Sequence, residues 1–247
     1  MHYYDMAETW EFSGGPKLLY TQVIFQDGDK YFSAQLPEMI ACPDDIPPTA
    51  KNSLKEIPVE HIWPPLEDGL SICHDAEKPG VYIKRPQLTS YDGSESLSLY
   101  MLHEARICEI LMQNEHQSIA RYLGCLVKGG RVAGLCFQRY VETLADRLEV
   151  GSQFNKNSCL QQIQAGIDHL HALNIIHNDI HPRNIMVANQ EADTFVIIDF
   201  DSCAIKGHPL PDKRGRMPEG ACTAECENDD LGFKLLQEEL HQEMCST

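Results

Sequence analysis

The hydrophobic and polar positions of this chain follow two spacings, and these predict its strands and helices. Short apolar and aromatic runs indicate strands, whereas apolar residues three or four positions apart indicate amphipathic helices. Predicted strands cover residues 80–84, 124–127, 131–140, 184–187 and 195–198, and a hairpin within residues 1–35 turns at Asp27-Gly28. Predicted helices cover residues 97–113, 144–150, 159–173 and 228–236.

Two of the helices have a clear apolar stripe. In the first, the expected core positions are Leu99, Leu102, Ile107, Ile110 and Leu111. In the second, they are Leu160, Ile163, Ile167 and Leu170. Residues 43–58 carry four prolines and several charges, which predicts a linker or an exposed connection.

A stretch near residue 180 places polar side chains at the mouths of two predicted strands. It contains His177, Asp179 and Asn184, followed by an apolar strand and then Asp199. The predicted hairpin brings Asn184 and Asp199 to the same end, where one hard cation can bind oxygen from both. Phosphoryl transfer from ATP needs such a set, with one acid at the attacking hydroxyl and an Asn and an Asp at Mg2+. A buried hairpin with capping acids is the alternative, and it leaves the upstream elements unexplained.

The whole run reads His-Asn-Asp-Ile-His-Pro-Arg-Asn-Ile-Met, then a short link, then Ile-Ile-Asp-Phe-Asp. It resembles the catalytic loop and metal motif of eukaryotic protein kinases, and more closely a group of small fungal kinase-like proteins. The resemblance implies that Asp179 orients the acceptor hydroxyl or accepts its proton, while Asn184 and Asp199 hold Mg2+. His181 replaces the loop lysine near the γ-phosphate, as in the antibiotic and choline kinase branch.

Upstream, a predicted strand ends in Lys84, and Glu104 lies 20 residues later on the first helix. In kinases, a strand lysine pairs with a helix glutamate at about this separation, and the pair directs the ammonium at the ATP phosphates. Glu109 is the rival partner for Lys84. We expect Glu104, because Ile107 and Leu111 follow it at the offsets that the kinase helix buries.

The resemblance also implies a nucleotide pocket. Gln138 is then the residue at the back of the pocket, and residues 139–141 form the hinge, where backbone groups of Arg139 and Val141 would bind adenine. Tyr82 stands where kinases keep a small alanine above the adenine ring, so it would narrow the pocket or stack on the base. Asp229, in the last predicted helix, matches the kinase aspartate that binds the backbone of the catalytic loop.

The sequence departs from the kinase pattern at several points. No Gly-x-Gly-x-x-Gly precedes Lys84. Asn178 replaces the arginine that reads a phosphorylated activation loop, so control by loop phosphorylation is not expected. Asp201 replaces a glycine, and we expect it to tolerate unusual backbone angles. Because Asp199 and Asp201 are like charges beside one cation site, one of the two pKa values should be raised without metal.

The predicted fold class is α+β, a two-lobed protein-kinase-like fold with a small antiparallel β N-lobe and a short, truncated helical C-lobe. Residues 1–60 form an N-terminal hairpin and Pro-rich extension, 61–140 the N-lobe and 141–247 the C-lobe. The expected function is ATP- and Mg2+-dependent transfer of phosphate to a hydroxyl, with protein Ser/Thr favoured. A pseudokinase that binds without turnover and a small-molecule kinase are the alternatives.

Composition narrows the partners. The 247 residues carry a formal net charge of −17, which argues against a nucleic-acid surface and an anionic membrane. No apolar run approaches the roughly 20 residues of a spanning helix, and the N-terminus has no signal pattern, so a cytoplasmic protein is expected. The ten cysteines are scattered without a Cys-x-x-Cys and are interpreted as reduced thiols. The expected partners are therefore ATP and an unidentified hydroxyl-bearing protein or small molecule.

Overall fold

The computed structural model describes residues 1–189 and 193–242, and in that part of the chain it has twelve strands and five α-helices. The chain divides into two compact units, described here one at a time. The first unit consists of Met1–Glu67, Arg85–Leu102 and Val127–Gly134, and the second unit contains the other described residues. The sequence-based division at residues 60 and 140 stays a prediction.

The first unit is built on an antiparallel sheet in the order β1-β2-β3-β4. The strands are β1 (His2–Glu11), β2 (Lys17–Asp27), β3 (Lys30–Leu36) and β4 (Lys55–Ile57). The predicted hairpin at Asp27-Gly28 is the β2–β3 turn. Strand β1 was not predicted, because none of its residues is fully buried and its apolar positions do not stand out.

Residues 43–58 were predicted to be a linker or an exposed connection. Most of the segment is exposed, but it is ordered and is not a linker. This segment forms two 3-10 helices, Pro43–Asp45 and Pro48–Ser53, followed by β4. Proline begins both short helices, where its missing N–H costs nothing. Ala50 is buried in the same cluster as Val23, and Ile57 is also buried. The prolines therefore start ordered turns. A short helix, α1 (Val59–Ile62), follows β4.

A second sheet has the order β5-β7-β6, and one helix lies in sequence between its strands. These elements are β5 (Val81–Lys84), α2 (Ser96–Gln113), β6 (Tyr122–Lys128) and β7 (Arg131–Gln138). Strand β5 pairs antiparallel with β7, and Lys84 lies opposite Leu135. In α2, the predicted stripe is wrong at Leu99 and Ile110, which are exposed. The buried face of the helix instead includes Glu104, and it is the partners of this carboxylate that allow its burial.

The remaining elements include the predicted helices and hairpin, together with three two-residue strands that were not predicted. They are β8 (Glu142–Thr143), α3 (Leu144–Glu149), α4 (Lys156–Ala172), β9 (Ile175–Ile176), β10 (Ile185–Asn189), β11 (Thr194–Ile197), β12 (Ala204–Ile205) and α5 (Cys226–Gln242). Strand β10 pairs antiparallel with β11 and β8, and β9 pairs with β12. All four predicted core residues of α4 are buried. Asn155 caps this helix by accepting a hydrogen bond from the Ser158 N–H at 3.0 Å.

The nine described cysteines form no disulfide bonds with one another, in agreement with the sequence-based interpretation. Five of the nine are buried, namely Cys108, Cys125, Cys136, Cys159 and Cys203. The tenth, Cys245, lies outside the described residues. Buried thiols of this kind behave as small apolar side chains.

Candidate active site

The predicted pair of Lys84 and Glu104 is formed. Lys84 ends β5, and its Nζ lies 2.8 and 2.7 Å from the two carboxylate oxygens of Glu104 on α2. Only 2% of Glu104 is exposed, so the carboxylate depends on this ammonium for compensation of its charge. The strand and the helix therefore bring together the two side chains that the sequence placed 20 residues apart.

Glu109, the rival partner, binds a different segment. Its two oxygens accept hydrogen bonds from the Ser71 N–H at 2.8 Å and the Ser71 Oγ at 2.9 Å. The same segment approaches β6 so closely that a Cβ at Gly124 would lie 2.8 Å from the Cys73 backbone nitrogen. Gly124 also has φ +111°, which a side chain rarely adopts. Sequence analysis missed this role of Ser71, because no motif precedes Lys84.

Lys84 is one member of a larger group of charges, which we call the acid cluster: Lys84, Glu104, Asp199, Asp201 and Lys213. Lys84 Nζ also contacts Asp199 Oδ1 and lies 3.3 Å from Asp201 Oδ2. Lys213 Nζ lies 3.2 Å from Asp199 Oδ2 and 2.5 Å from Asp201 Oδ2. One ligand oxygen from each of the three acids lies within 4.8 Å of the others. Sequence analysis gave Asp201 no positively charged partner and did not identify Lys213.

The acid cluster holds three carboxylates and two ammonium groups, so one negative charge is in excess. Burial opposes ionisation of Asp199, but Lys84 and Lys213 outweigh it and hold the pKa of that carboxyl well below its usual range. Burial raises the pKa of Glu104, and Lys84 offsets only part of this effect. Burial lowers the pKa of Lys84, but the three carboxylates raise it well above its usual value. The pKa of Asp199 is therefore lowered rather than raised, and Glu104 has a raised pKa whose first cause is burial.

The backbone at Asp199 turns sharply and ties the acid cluster to α2. Asp199 has φ 66° and ψ 80°, in the left-handed region, whereas Asp201 lies in the short 3-10 helix Phe200–Ser202. The unusual backbone expected at Asp201 is thus found at Asp199. The Phe200 N–H donates to Glu104 Oε1 at 3.1 Å, and the buried Phe200 ring packs edge-on against His177. Glu104 therefore positions both Lys84 and the turn that carries Asp199.

Asp179 lies on the loop before β10 and is held by its predicted neighbours. Asn184 Nδ2 donates to Asp179 Oδ2 at 2.9 Å and to the Asp179 carbonyl at 3.0 Å. His181 Nε2 lies 3.4 Å from Asp179 Oδ1. Burial raises the pKa of Asp179, but hydrogen bonds and charge from His181 and Asn184 outweigh it, and the net pKa is lowered. Asp179 is therefore an ionised hydrogen-bond acceptor.

Asp229 binds the backbone of the loop that carries Asp179, as predicted. Asp229 is fully buried on α5, and its carboxylate accepts from the His177 N–H at 2.9 Å and the Asn178 N–H at 2.7 Å. Its Oδ2 also lies 2.9 Å from His171 Nε2. Asn178 has φ 62°, and its Nδ2 donates to the Ser202 carbonyl at 3.0 Å. The residue that replaces the kinase arginine thus ties the two loops together.

A cavity of about 430 Å³ opens beside the acid cluster. Its lining residues are Tyr82, Lys84, Glu104, Ala120, Phe137, Gln138, Arg139, Tyr140, Thr143, Arg183, Asn184, Met186, Ile198 and Asp199. Three of the four predicted nucleotide-binding residues, Lys84, Tyr82 and Arg139, are among them. Val141 is outside the lining, its side chain is exposed, and its N–H donates to the Val187 carbonyl at 3.3 Å. The Val141 N–H, which was expected to donate to adenine, therefore already has a hydrogen-bond partner within the chain.

The protein kinase domain family matches residues 51–214, about two thirds of the sequence. This chain belongs to the protein kinase domain family. The match includes Lys84, Glu104, the loop around Asp179 and the turn at Asp199. The predicted membership of the eukaryotic protein-kinase-like superfamily and the α+β kinase fold are confirmed.

Several curated kinases are similar to parts of this kinase domain. Striated muscle preferentially expressed protein kinase of Danio rerio is 32% identical over 103 residues, 40% of this chain and 3% of that protein. Serine/threonine-protein kinase/endoribonuclease IRE1 of Hypocrea jecorina (strain QM6a) is 31% identical over 102 residues, 36% of this chain and 8% of that protein. Mitogen-activated protein kinase 4 of Rattus norvegicus is 29% identical over 135 residues, 50% of this chain and 48% of that protein. The chain thus spans less than half the length of each of these relatives.

Tyr82 and Arg139 form one wall of the cavity in this kinase domain. The Arg139 guanidinium lies 5.9 Å from the centre of the Tyr82 ring and donates to the Val81 carbonyl at 2.9 Å. The Arg139 N–H donates to the Gly80 carbonyl at 2.9 Å. Tyr82 is half exposed, so its ring can pack against a flat ligand without leaving the guanidinium.

No helix in the described part of the chain is long and apolar enough to cross a membrane.

Proposed function

We propose that this kinase domain is an ATP- and Mg2+-dependent phosphotransferase that acts on a hydroxyl acceptor, and we favour a serine or threonine of a protein. The observation that carries the proposal is the position of Lys84. Its ammonium contacts both Glu104 and Asp199 at the wall of a cavity large enough for a nucleotide's base and sugar. A buried lysine held by a glutamate is the device that kinases use to steady the ATP phosphates.

The residues of the acid cluster fit a magnesium site. Asp199 and Asp201 offer carboxylate oxygens, the ligands that Mg2+ prefers, and a lysine ammonium already lies between them. Asn184 would add an amide oxygen, because both hydrogen bonds from its NH2 go to Asp179. Bound Mg2+ would neutralise charge that develops on the transferred phosphoryl group.

Asp179 would orient the acceptor hydroxyl and accept its proton. It is ionised, and its Oδ1 lies 3.4 Å from His181 Nε2 and close to the backbone at Gly215. His181 is partly exposed and would contact the γ-phosphate in place of the usual loop lysine. Adenine would bind the Arg139 carbonyl and the Val141 N–H, which first has to leave the Val187 carbonyl.

A pseudokinase is the second candidate, and two observations favour it. The Val141 N–H has an internal partner, and the acid cluster is occupied by Lys213. A small-molecule kinase is the third, favoured by the contact between His181 and Asp179. We also propose that this chain groups with small fungal kinase-like proteins that carry the same Asp-Phe-Asp motif. The division into residues 1–60, 61–140 and 141–247 remains part of this proposal.

The test compares the parent protein with Asp179→Asn and Asp199→Asn, using Asp230→Asn as a surface control. Asp179→Asn should bind nucleotide with Mg2+ normally but lower turnover by roughly 10²–10⁴-fold, the usual share of a positioned acid or base. Asp199→Asn should lose Mg2+-dependent nucleotide binding, because one anionic oxygen leaves the site. The measurements are calorimetric nucleotide binding and ATP consumption with peptide, protein and small-alcohol acceptors. A parent that binds no nucleotide at any Mg2+ concentration contradicts the proposal.

A further inference from the structure

Lys213 has no role in the proposed reaction, yet its ammonium contacts two carboxylates of the acid cluster. It lies on the segment between β12 and α5, and its Nζ reaches Asp199 Oδ2 at 3.2 Å and Asp201 Oδ2 at 2.5 Å. One oxygen from each acid therefore faces the same ammonium. Burial lowers the pKa of Lys213, but Asp201 and Asp199 raise it above its usual value, so the side chain is a permanent cation.

The segment that carries Lys213 also lies close against the side chain of Asp179. Two residues later, the Gly215 N–H donates to the Asn178 carbonyl at 2.9 Å. A Cβ at Gly215 would meet Asp179 Oδ1, which shows that the backbone here passes directly over the carboxylate. This is the oxygen that the proposed function leaves for the acceptor hydroxyl. An acceptor that binds Asp179 Oδ1 therefore requires residues 213–215 to move.

We propose that Lys213 is a built-in cation of the acid cluster, which keeps residues 213–215 over Asp179 until a divalent cation takes its place. The inference rests on the proposed function, because it assumes that the cation binds Asp199 and Asp201. It adds that binding of the cation and access to Asp179 are coupled. Departure of Lys213 then frees the carboxylates of Asp199 and Asp201 for the cation and opens Asp179 to the acceptor.

The charges and the exposure of the two lysines support this order of events. Half of the Lys213 side chain is exposed, whereas Lys84 is only 25% exposed and also binds Glu104. Lys213 can therefore move into water at a lower cost than Lys84. A lysine is a single charge on a flexible stem, and a divalent ion that takes two carboxylate oxygens brings twice that charge. Departure of Lys213 also leaves residues 213–215 with the Gly215 bond as their described link to the loop.

The first test measures cation affinity in the absence of nucleotide. Mn2+ serves as the probe, because it prefers the same oxygen ligands as Mg2+ and its free concentration is read by electron paramagnetic resonance. Lys213→Met should bind Mn2+ roughly ten-fold more tightly than the parent, the equivalent of the charge-assisted hydrogen bonds that the ion no longer displaces. Lys213→Arg, which keeps the charge, should stay near the parent. Lys234→Met removes the same charge from an exposed position on α5 and should also stay near it.

The second test measures access to Asp179 through hydrogen exchange of the peptide that contains the Gly215 amide. In the parent, Mg2+ should speed its exchange, and Lys213→Met should exchange fast without metal. Equal Mn2+ affinity in the parent and Lys213→Met would overturn the inference and leave the proposed metal site intact. If neither protein binds Mn2+, the proposed metal site is wrong as well. Tighter binding with unchanged Gly215 exchange would overturn the coupling.

Discussion

The acid cluster and the loop around Asp179 lie side by side but are held by different forces. Side-chain charges hold the cluster together, and two of its members, Lys84 and Lys213, are 25% and 50% exposed. The loop is held through its backbone, since the fully buried Asp229 binds the N–H groups of His177 and Asn178. The acid cluster therefore depends on charged side chains that can be exchanged for other ions, whereas the loop depends on buried groups that do not reach water.

This difference suits the work that each region would do. A group that orients a reacting hydroxyl must be in place beforehand, and a backbone fixed by a buried acceptor provides that preorganisation. A cation site has to release one positive charge in order to bind another, and exposed ammonium groups do so readily. The contrast therefore predicts that loss of Asp229 lowers stability most, whereas a change that only removes charge from the acid cluster lowers it little.

The largest expected effect comes from Asp229→Ala. This change leaves two buried N–H groups without an acceptor and His171 without its partner, so the free energy of unfolding should fall by about 3–5 kcal/mol. Denaturant unfolding measures it. Asp230→Ala, on the next and exposed position of α5, is the matched control and should stay within about 0.5 kcal/mol of the parent. A loss below about 1 kcal/mol for Asp229→Ala would show that the loop does not depend on this buried acid.

The second prediction asks whether Glu104 stabilises the acid cluster through its charge or through its oxygens. Glu104→Ala should cost about 2–4 kcal/mol, because the Phe200 N–H loses its acceptor and a cavity remains. Glu104→Gln keeps an oxygen for Phe200 and removes the excess negative charge, so it should cost less than about 1 kcal/mol. Unfolding in a chelator at neutral pH compares the two variants. Equal losses would mean that the ion pair, rather than the acceptor, provides the stability.

The two regions also differ in how much of them could be predicted from sequence. The loop side chains Asp179, Asn184 and Asp229 were all named from motif positions, because a fixed backbone ties each role to a fixed spacing. In the acid cluster, Lys84, Glu104 and Asp199 were named and Asp201 was placed beside the cation site, but the contacts of Asp201 with the two lysines and the presence of Lys213 were not predicted. Lys213 lies in an irregular segment with no periodicity, so only the folded chain reveals that its side chain reaches the acids.

The fold shows the same division. Elements with a strong period, such as α4 and the β10–β11 hairpin, were predicted close to their observed bounds. Strand β1 and the ordered turns after Pro43 and Pro48 were missed, since their contacts are distant in sequence or only half buried. The stripe of α2 was misassigned at Leu99 because the buried face includes Glu104 and Glu109, which a hydrophobic pattern counts as outward.

The smallest expected effect comes from two histidines that lie outside both regions. It concerns the pH dependence of the free energy of unfolding, and it separates the part due to these histidines from the part due to the acid cluster. The rings of His116 and His169 stack with centres 4.8 Å apart, and His116 Nδ1 accepts from the Ser118 N–H at 3.2 Å. Burial lowers the pKa of His116, and His169 lowers it further. Protonation of Nδ1 would end the Ser118 bond and place positive charge against the second ring.

The sign follows from the lowered pKa. The unfolded chain binds this proton more readily than the folded chain, so the contribution of His116 is complete above the unfolded pKa of about 6.5 and is lost as the pH falls through the folded value. The loss should not exceed about 1 kcal/mol, the net contribution of one hydrogen bond. His116→Asn keeps an acceptor for Ser118 without a titrating ring, so its unfolding free energy should change less than that of the parent between pH 7.5 and the acid limb. His208→Asn, at an exposed position, should keep the parent's slope. Identical pH profiles for the parent and His116→Asn would remove this pair as a source of pH dependence. The slope would then belong to groups whose pKa is lowered in the folded chain, first among them the carboxyls of Asp179 and Asp199.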